Sequence, residues 1–324
     1  MEKADRLADT EVALIRDTAD RLVDNIGRVI VGKRETIEMV LVALFCEGHV
    51  LIEDVPGIGK TMLAKAVARS LGGTFKRIQA TPDLLPSDVT GIHYFNQKTA
   101  EFEFRPGPIM ANVVLVDEIN RATPRTQSCL LECMQEQQVT VDLETLPLPR
   151  PFLVIATQNP VELEGTFPLP EAQLDRFLLR VGLGYPDAAE EETILTRFQE
   201  SNPLDSLESV LPADALKHVQ ELCRRVYVED SLRGYVTGIT RATRQHASIK
   251  LGASPRASLG LHHASQALAG IRGRNYVIPD DVKQLAAPVL AHRLIARTEA
   301  RLKERSVEAI IGEVVAALPV PVEG

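Results

Sequence analysis

Residues 49–61 read His49-Val50-Leu51-Ile52-Glu53-Asp54-Val55-Pro56-Gly57-Ile58-Gly59-Lys60-Thr61, and no other stretch constrains the fold as strongly. The apolar run Val50 to Ile52 has the length of a buried strand. Pro56, Gly57 and Gly59 end it, and a helical pattern follows with Leu63, Ala66, Val67 and Leu71 on one face. Strand, glycine loop, Lys-Thr and helix in that order make an anion cradle. Loop N–H groups and the helix N-terminus face a phosphate, Lys60 reaches the outer phosphates, and Thr61 offers its hydroxyl to Mg²⁺. Asp54 stands where the usual pattern has its first glycine, so the loop also reads as a plain glycine turn. Because Gly-Lys-Thr opens a helix, the phosphate reading is the stronger one. A nucleoside triphosphate site is expected here, with Pro56, Gly57, Ile58, Gly59, Lys60, Thr61 and Met62 as its contacts.

The chain on either side supports a doubly covered parallel sheet. Helical spacing runs through 11–27 and again from Ile37 to Leu44, ahead of the loop. Strands are expected at Phe75 to Gln79, Asn112 to Val116, Phe152 to Ala156 and Phe177 to Val181, with a helix from Arg125 to Gln137 between the second and third. Two hairpins interrupt the alternation, one over His93 to Arg105 and one joining Val139-Thr140-Val141 to Leu146-Pro147-Leu148. After Tyr185-Pro186-Asp187 no strand-like run is found. Helices are expected at about 188–200, 213–225, 229–248, 255–270 and 280–296. The boundary is therefore set at 186, giving an α/β domain over 1–186 and an all-α domain over 187–324.

Composition narrows the class. With 324 residues, 45% apolar and 25% charged, the chain has the material for about two ordinary globular domains. A net charge of −8 argues against a nucleic-acid surface, and neither hairpin carries more bases than acids. No apolar run approaches a membrane span, and Met1 to Asp20 is too charged for a secretory signal, so a cytoplasmic protein with no membrane insertion is expected. Cys46, Cys129, Cys133 and Cys223 read as buried thiols, since no second pair or histidine completes a zinc site near Cys129 and Cys133.

Four further stations carry chemistry. Asp117 and Glu118 end the apolar strand Val113 to Val116, at the sheet edge that holds the phosphate loop. Asp117 would hold Mg²⁺ through water and Glu118 would orient and activate the attacking water. Asn159, at a neighbouring strand tip, either senses the γ-phosphate and attacking water or is a turn asparagine before a proline. Arg176, just before the last strand, either pairs with Asp175 or reaches a neighbouring subunit's nucleotide. The latter fits a residue expected far along the sheet from its own phosphate loop. Arg256 opens a helix capped by Ser254 and Pro255, from which it would reach across the domain cleft to the phosphates.

Taken together these motifs resemble the AAA+ ATPases and, within them, the MoxR family. The resemblance covers nearly the whole chain: Val29-Ile-Val-Gly-Lys-Arg-Glu35, Leu51 to Thr61, Arg105-Pro-Gly-Pro108, Val116-Asp-Glu-Ile-Asn-Arg-Ala122, Ala156-Thr-Gln-Asn-Pro160 and Pro168 to Phe177. It implies a P-loop core with a five-stranded parallel sheet, a helix-2 insert over 91–109, a pre-sensor-1 hairpin over 139–150 and a helical lid. Lys60 and Thr61 match Walker A, Asp117 and Glu118 Walker B, and Asn159 sensor 1. Arg176 matches the arginine finger and Arg256 sensor 2, while Val31 and Gly32 lie where such proteins seat adenine. The family's activity would be Mg²⁺-dependent ATP hydrolysis in a homo-oligomeric ring, usually of six. That ring would remodel, mature or activate a client enzyme or complex, often with a von Willebrand factor A domain partner. A metal-chelatase motor subunit and a DNA-translocating AAA+ motor are the alternative readings.

Overall fold

The computed structural model describes residues 6–142, 144–159, 165–199 and 202–321. Two helices, α1 (Asp9–Gly27) and α2 (Arg34–Phe45), lead into β1 (Val50–Glu53) and α3 (Lys60–Ser70). β2 (Phe75–Gln79), α4 (Pro86–Thr90) and the hairpin β3 (Gly91–Asn96) with β4 (Glu101–Pro106) follow. Next come β5 (Val113–Asp117), α5 (Pro124–Glu136), the hairpin β6 (Gln138–Val141) with β7 (Glu144–Pro147), and β8 (Leu153–Gln158). The one-turn helix α6 (Glu171–Leu174) precedes β9 (Leu179–Val181).

β2, β5, β8, β1 and β9, in that order, form one five-stranded parallel sheet. The central strands are buried on both faces: Val113 to Val116 and Leu153 to Ala156 are all inaccessible, which is why they are unbroken apolar runs. Register levels the strand tips, with Gln79 opposite Asp117 and Glu53 opposite Gln158. The polar ends of four strands therefore share one edge.

The order corrects one expectation. β9 lies directly beside β1, Leu179 opposite Val50, so Arg176 is not remote across the sheet from the phosphate loop. It is separated along the strands instead, because the loop leaves the C-terminal end of β1 while Arg176 precedes the N-terminal end of β9. Sequence position gives chain order, whereas hydrogen-bond pairing sets strand order.

Beyond β9 run α7 (Ala188–Phe198), α8 (Ala213–Arg224), α9 (Asp230–Gln245), β10 (Ile249–Leu251), α10 (Pro255–Ile271), α11 (Pro279–Leu290), β11 (Ile295–Ala296), α12 (Thr298–Leu302) and α13 (Val307–Ala317). Among the described residues the region is helical apart from a lone bridge between Tyr227 and Tyr276 and a short antiparallel ladder, Ile249 opposite Ala296, too brief for strand patterning to reveal. The helix expected to reach 296 ends at Leu290. A single 3₁₀ turn, Ala291–Arg293, follows and turns His292 and Arg293 toward the Phe177 carbonyl. α13 was not anticipated, although Ser306 caps it and Ile310, Ile311 and Val314 form its buried stripe. α7 starts two residues after the expected boundary, but the apolar core is not divided there. One cluster joins Ile15, Leu22 and Leu41 of α1 and α2 to Leu222, Leu261 and Leu285 of α8, α10 and α11.

Candidate functional site

The loop after β1 is shaped by backbone conformation. Gly57 (φ 86°) and Gly59 (φ 95°) are left-handed, and a Cβ on either would touch nothing, so it is the dihedral that demands glycine. Gly59 caps α3, aiming the helix's free N–H groups and positive dipole end at the loop interior. Thr61 sits in the first turn of the same helix. The Lys60 ammonium donates to the Asp54 carbonyl at 2.7 Å. Burial lowers its pKa, and Asp54, Asp117 and Glu118 oppose that shift, which puts both strand-tip acids within electrostatic reach of the lysine.

The acids are held by groups that sequence patterning did not single out. Thr157, fully buried on β8, donates its Oγ1 to Asp117 Oδ1 at 2.6 Å and accepts the Glu118 N–H at 2.9 Å. Arg77 on β2 donates to Asp117 Oδ2 at 2.6 Å. Glu118 occupies a left-handed conformation (φ 56°) that swings it off the strand, and its Oε2 meets Gln79 Nε2 at 3.1 Å and Arg121 Nε at 3.0 Å. Asn159 follows the tip of β8, half-buried, two residues beyond Thr157. Level strand tips were the only signal for these neighbours, and level tips are a property of register.

An apolar slot of about 370 Å³ opens beside the loop. Its walls include Val29, Val31, Ile58, Met62, Tyr185 and Phe198, drawn from the segment before α2, the loop, the linker after β9 and α7. Of the residues expected to contact the nucleotide, Val31, Pro56, Gly57, Ile58, Gly59 and Met62 line this slot. Gly32 does not line the slot. It packs against α7, where a Cβ would overlap Glu190 Oε1 at 1.7 Å, and its φ of 72° also excludes a side chain. Lys33 completes this contact, pairing with Glu190 at 3.0 Å and donating to the Tyr185 carbonyl at 3.0 Å. Asp54 fixes the opposite wall. Its Oδ2 accepts the Leu183 and Gly184 N–H groups at 2.8 and 2.7 Å, and its Oδ1 that of Val55 at 2.8 Å.

The two arginines lie together, away from this slot. Arg176 donates Nη1 to the Leu131 carbonyl of α5 at 2.6 Å. The N-terminus of α10 docks beside it, since Ser254 Oγ donates to the Asp175 carboxylate at 3.0 Å while capping the Ala257 N–H. The exposed Arg256 therefore stands at the N-terminal end of β9, close enough to Arg293 for their charges to interact. The expected reach across the cleft to the chain's own phosphates is corrected: Ser254 anchors its helix to the Asp175 end of the sheet, opposite the loop.

The helix-2-like hairpin β3–β4 projects aromatic side chains. Phe95 and Phe102 face each other across it with ring centres 5.4 Å apart and remain 52% and 73% exposed. His93 links it to the second hairpin through Asp142 at 2.9 Å.

Comparison with known proteins converges on this architecture. Residues 49–179 match the ATPase family associated with various cellular activities (AAA), and residues 241–314 match the AAA lid domain. Chaperone MoxR1 of Mycobacterium tuberculosis is 44% identical over 94% of this chain and 82% of its own length. The uncharacterized protein YeaC of Bacillus subtilis is 52% identical over 94% of this chain and 95% of its own. A crystal structure of a candidate ATPase from Cytophaga hutchinsonii superposes with a TM-score of 0.91 at 37% identity, covering 97% of this chain and 98% of that one.

Proposed function

This chain belongs to the MoxR family of AAA+ ATPases, and on that premise we propose that it hydrolyses ATP with Mg²⁺ in a ring of identical subunits, six by family habit, to remodel a client protein. The observation that carries this reading is the convergence of the Lys60 loop with the Asp117–Glu118 strand tip, held rigidly by buried Thr157. Adenine would lie in the slot beside Val31 and Met62, with the phosphates against the N-terminus of α3. Thr61 and Asp117 would hold Mg²⁺, a hydroxyl and a carboxylate being the hard oxygen donors it takes. The ion supplies charge neutralisation on the phosphates. Glu118 orients the attacking water and accepts its proton, and Asn159 positions that water. Gln79 and Arg121 both hold Glu118 through the same carboxylate oxygen, Oε2.

Arg176 and Arg256 share the face at the start of β9, which supports both serving a neighbour's nucleotide rather than their own. Residues 187–324 act as the lid. The exposed Phe95 and Phe102 favour a protein client over nucleic acid, since their hairpin offers apolar area without net cationic charge. A von Willebrand factor A domain protein as partner rests on the family resemblance alone.

The test is enzymatic. Lys60→Ala should abolish binding of a fluorescent ATP analogue, because it removes the cation that reaches the outer phosphates. Glu118→Gln should bind normally and stop turnover. Parent-rate hydrolysis by Glu118→Gln would remove that residue as the water-activating base.

A further inference from the structure

Arg176 is bracketed by contacts with the lid. On one side Asp175 accepts Ser254 Oγ, and its Oδ1 lies 3.0 Å from Arg293 Nε. On the other side the Phe177 carbonyl accepts Arg293 Nη2 at 2.7 Å and His292 Nε2 at 2.9 Å. Arg293 is only 5% exposed and the Phe177 ring is wholly buried. A cation is costly to bury unless paired and hydrogen-bonded, and here one planar guanidinium spans both residues adjoining Arg176 in sequence. The Nε–Oδ1 approach is an ionic contact rather than an aligned hydrogen bond, so the Phe177 carbonyl supplies the directional part. His292 is buried with Nδ1 unpartnered, which fits a neutral ring donating from Nε2. Desolvation holds its pKa well below the usual histidine value.

Arg176 itself reaches the other way, to the Leu131 carbonyl of α5. The residues on either side of it are thus held by the lid, while its side chain rests on the core. We propose that Arg293, assisted by His292, is the positioning residue for Arg176: the 3₁₀ turn after α11 grips Asp175 and Phe177, so the attitude of the lid dictates how this subunit presents its arginine to the next. The adenine slot is walled in part by α7, the first helix after β9. The inference rests on the reading of Arg176 as the arginine that serves a neighbour.

Arg293→Lys, Arg293→Met and Asp175→Asn would be compared with Arg176→Ala in assembled rings. A lysine ammonium cannot reproduce the fork that spans Asp175 and Phe177. Each variant should bind an ATP analogue within about threefold of the parent, as its own pocket is untouched. Each should lose about tenfold or more in kcat, and the Arg176→Ala/Arg293→Met double variant should be no slower than Arg176→Ala alone. Mixing any of them with Lys60→Ala subunits should restore hydrolysis, because the Lys60→Ala neighbour donates an intact arginine. Mass photometry would verify that rings had exchanged.

Parent-level turnover in the Arg293 variants, or losses additive with Arg176→Ala, would overturn the proposal. So would failure to be rescued in verified mixed rings where Arg176→Ala is rescued. If Arg293→Met does not fold, Asp175→Asn and Ser254→Ala carry the same comparison from the core and lid sides of the grip. Normal hydrolysis by Arg176→Ala would instead sink the underlying reading of that arginine, an outcome seen without touching Arg293.

Discussion

Thr157 shows how much of the catalytic geometry hangs on single atoms. One hydroxyl joins the Asp117 carboxylate to the Glu118 backbone, with no solvent access to substitute for it. A hydrogen bond to a charged group contributes about 1.5–3 kcal/mol, and about 1.4 kcal/mol corresponds to a factor of ten in rate. Thr157→Val, which keeps the shape, should therefore lower kcat by about ten- to a hundredfold while leaving ATP affinity nearly unchanged. Single-turnover hydrolysis beside equilibrium binding checks this. A variant that binds ATP poorly but turns over normally would mean the hydroxyl serves the pocket rather than the acids.

At the scale of elements, Asp54 shows why the loop departs from the usual glycine. A glycine has no acceptor to offer there, whereas the Asp54 carboxylate gathers the Leu183 and Gly184 N–H groups and fastens β1 to the linker into α7. That linker, through Leu183, Gly184, Tyr185 and Pro186, is one wall of the adenine slot. Asp54→Gly should keep the phosphate cradle and loosen the wall. ATP affinity should then fall by about tenfold, corresponding to about 1.4 kcal/mol, while inorganic tripolyphosphate binding changes little. Calorimetric titration with both ligands separates the cases; equal losses would make Asp54 part of the cradle itself.

For the whole molecule, buried neutral histidines set a limit at acid pH. His49 joins α5 to β8, with Nε2 on the Met134 carbonyl and Nδ1 accepting the Val154 N–H, and burial lowers its pKa to about 4. Half-buried His262 is lowered to about 4 by partial desolvation, with His263 and Arg233 adding to the shift. Their folded values lie below that of the unfolded chain, so the unfolded state binds more protons between them. The stabilisation is complete above about pH 6.5 and is lost as pH falls toward 4, on the order of 3 kcal/mol for His49. Thermal melts should show Tm falling from about pH 6.5 downward, and less steeply for His49→Gln. A flat Tm from pH 7 to 5 would contradict it. The same acidic molecule, net charge −8, should show no salt-sensitive DNA binding in fluorescence anisotropy. Micromolar binding would revive a DNA-translocating role.

What the sequence determined by itself is whatever is written in neighbouring residues. The strand, the two glycines and Lys60-Thr61 specify the phosphate loop because φ > 0 and a helix start are local demands, and Asp117-Glu118 is legible as a strand ending in acids. The lengths of α1, α3 and the central strands followed from periodicity for the same reason. Tertiary structure alone decided which distant segments meet. It set β9 against β1, Asp54 against the linker at 183–184, Gly32 against Glu190, and Ser254 and Arg293 against Asp175. Apart from the β1–β9 ladder, each rests on one or two polar or steric contacts between residues dozens of positions apart or more. No period or turn signal encodes such a pair, because its energy exists only once the sheet order and the docked lid have brought the two groups together.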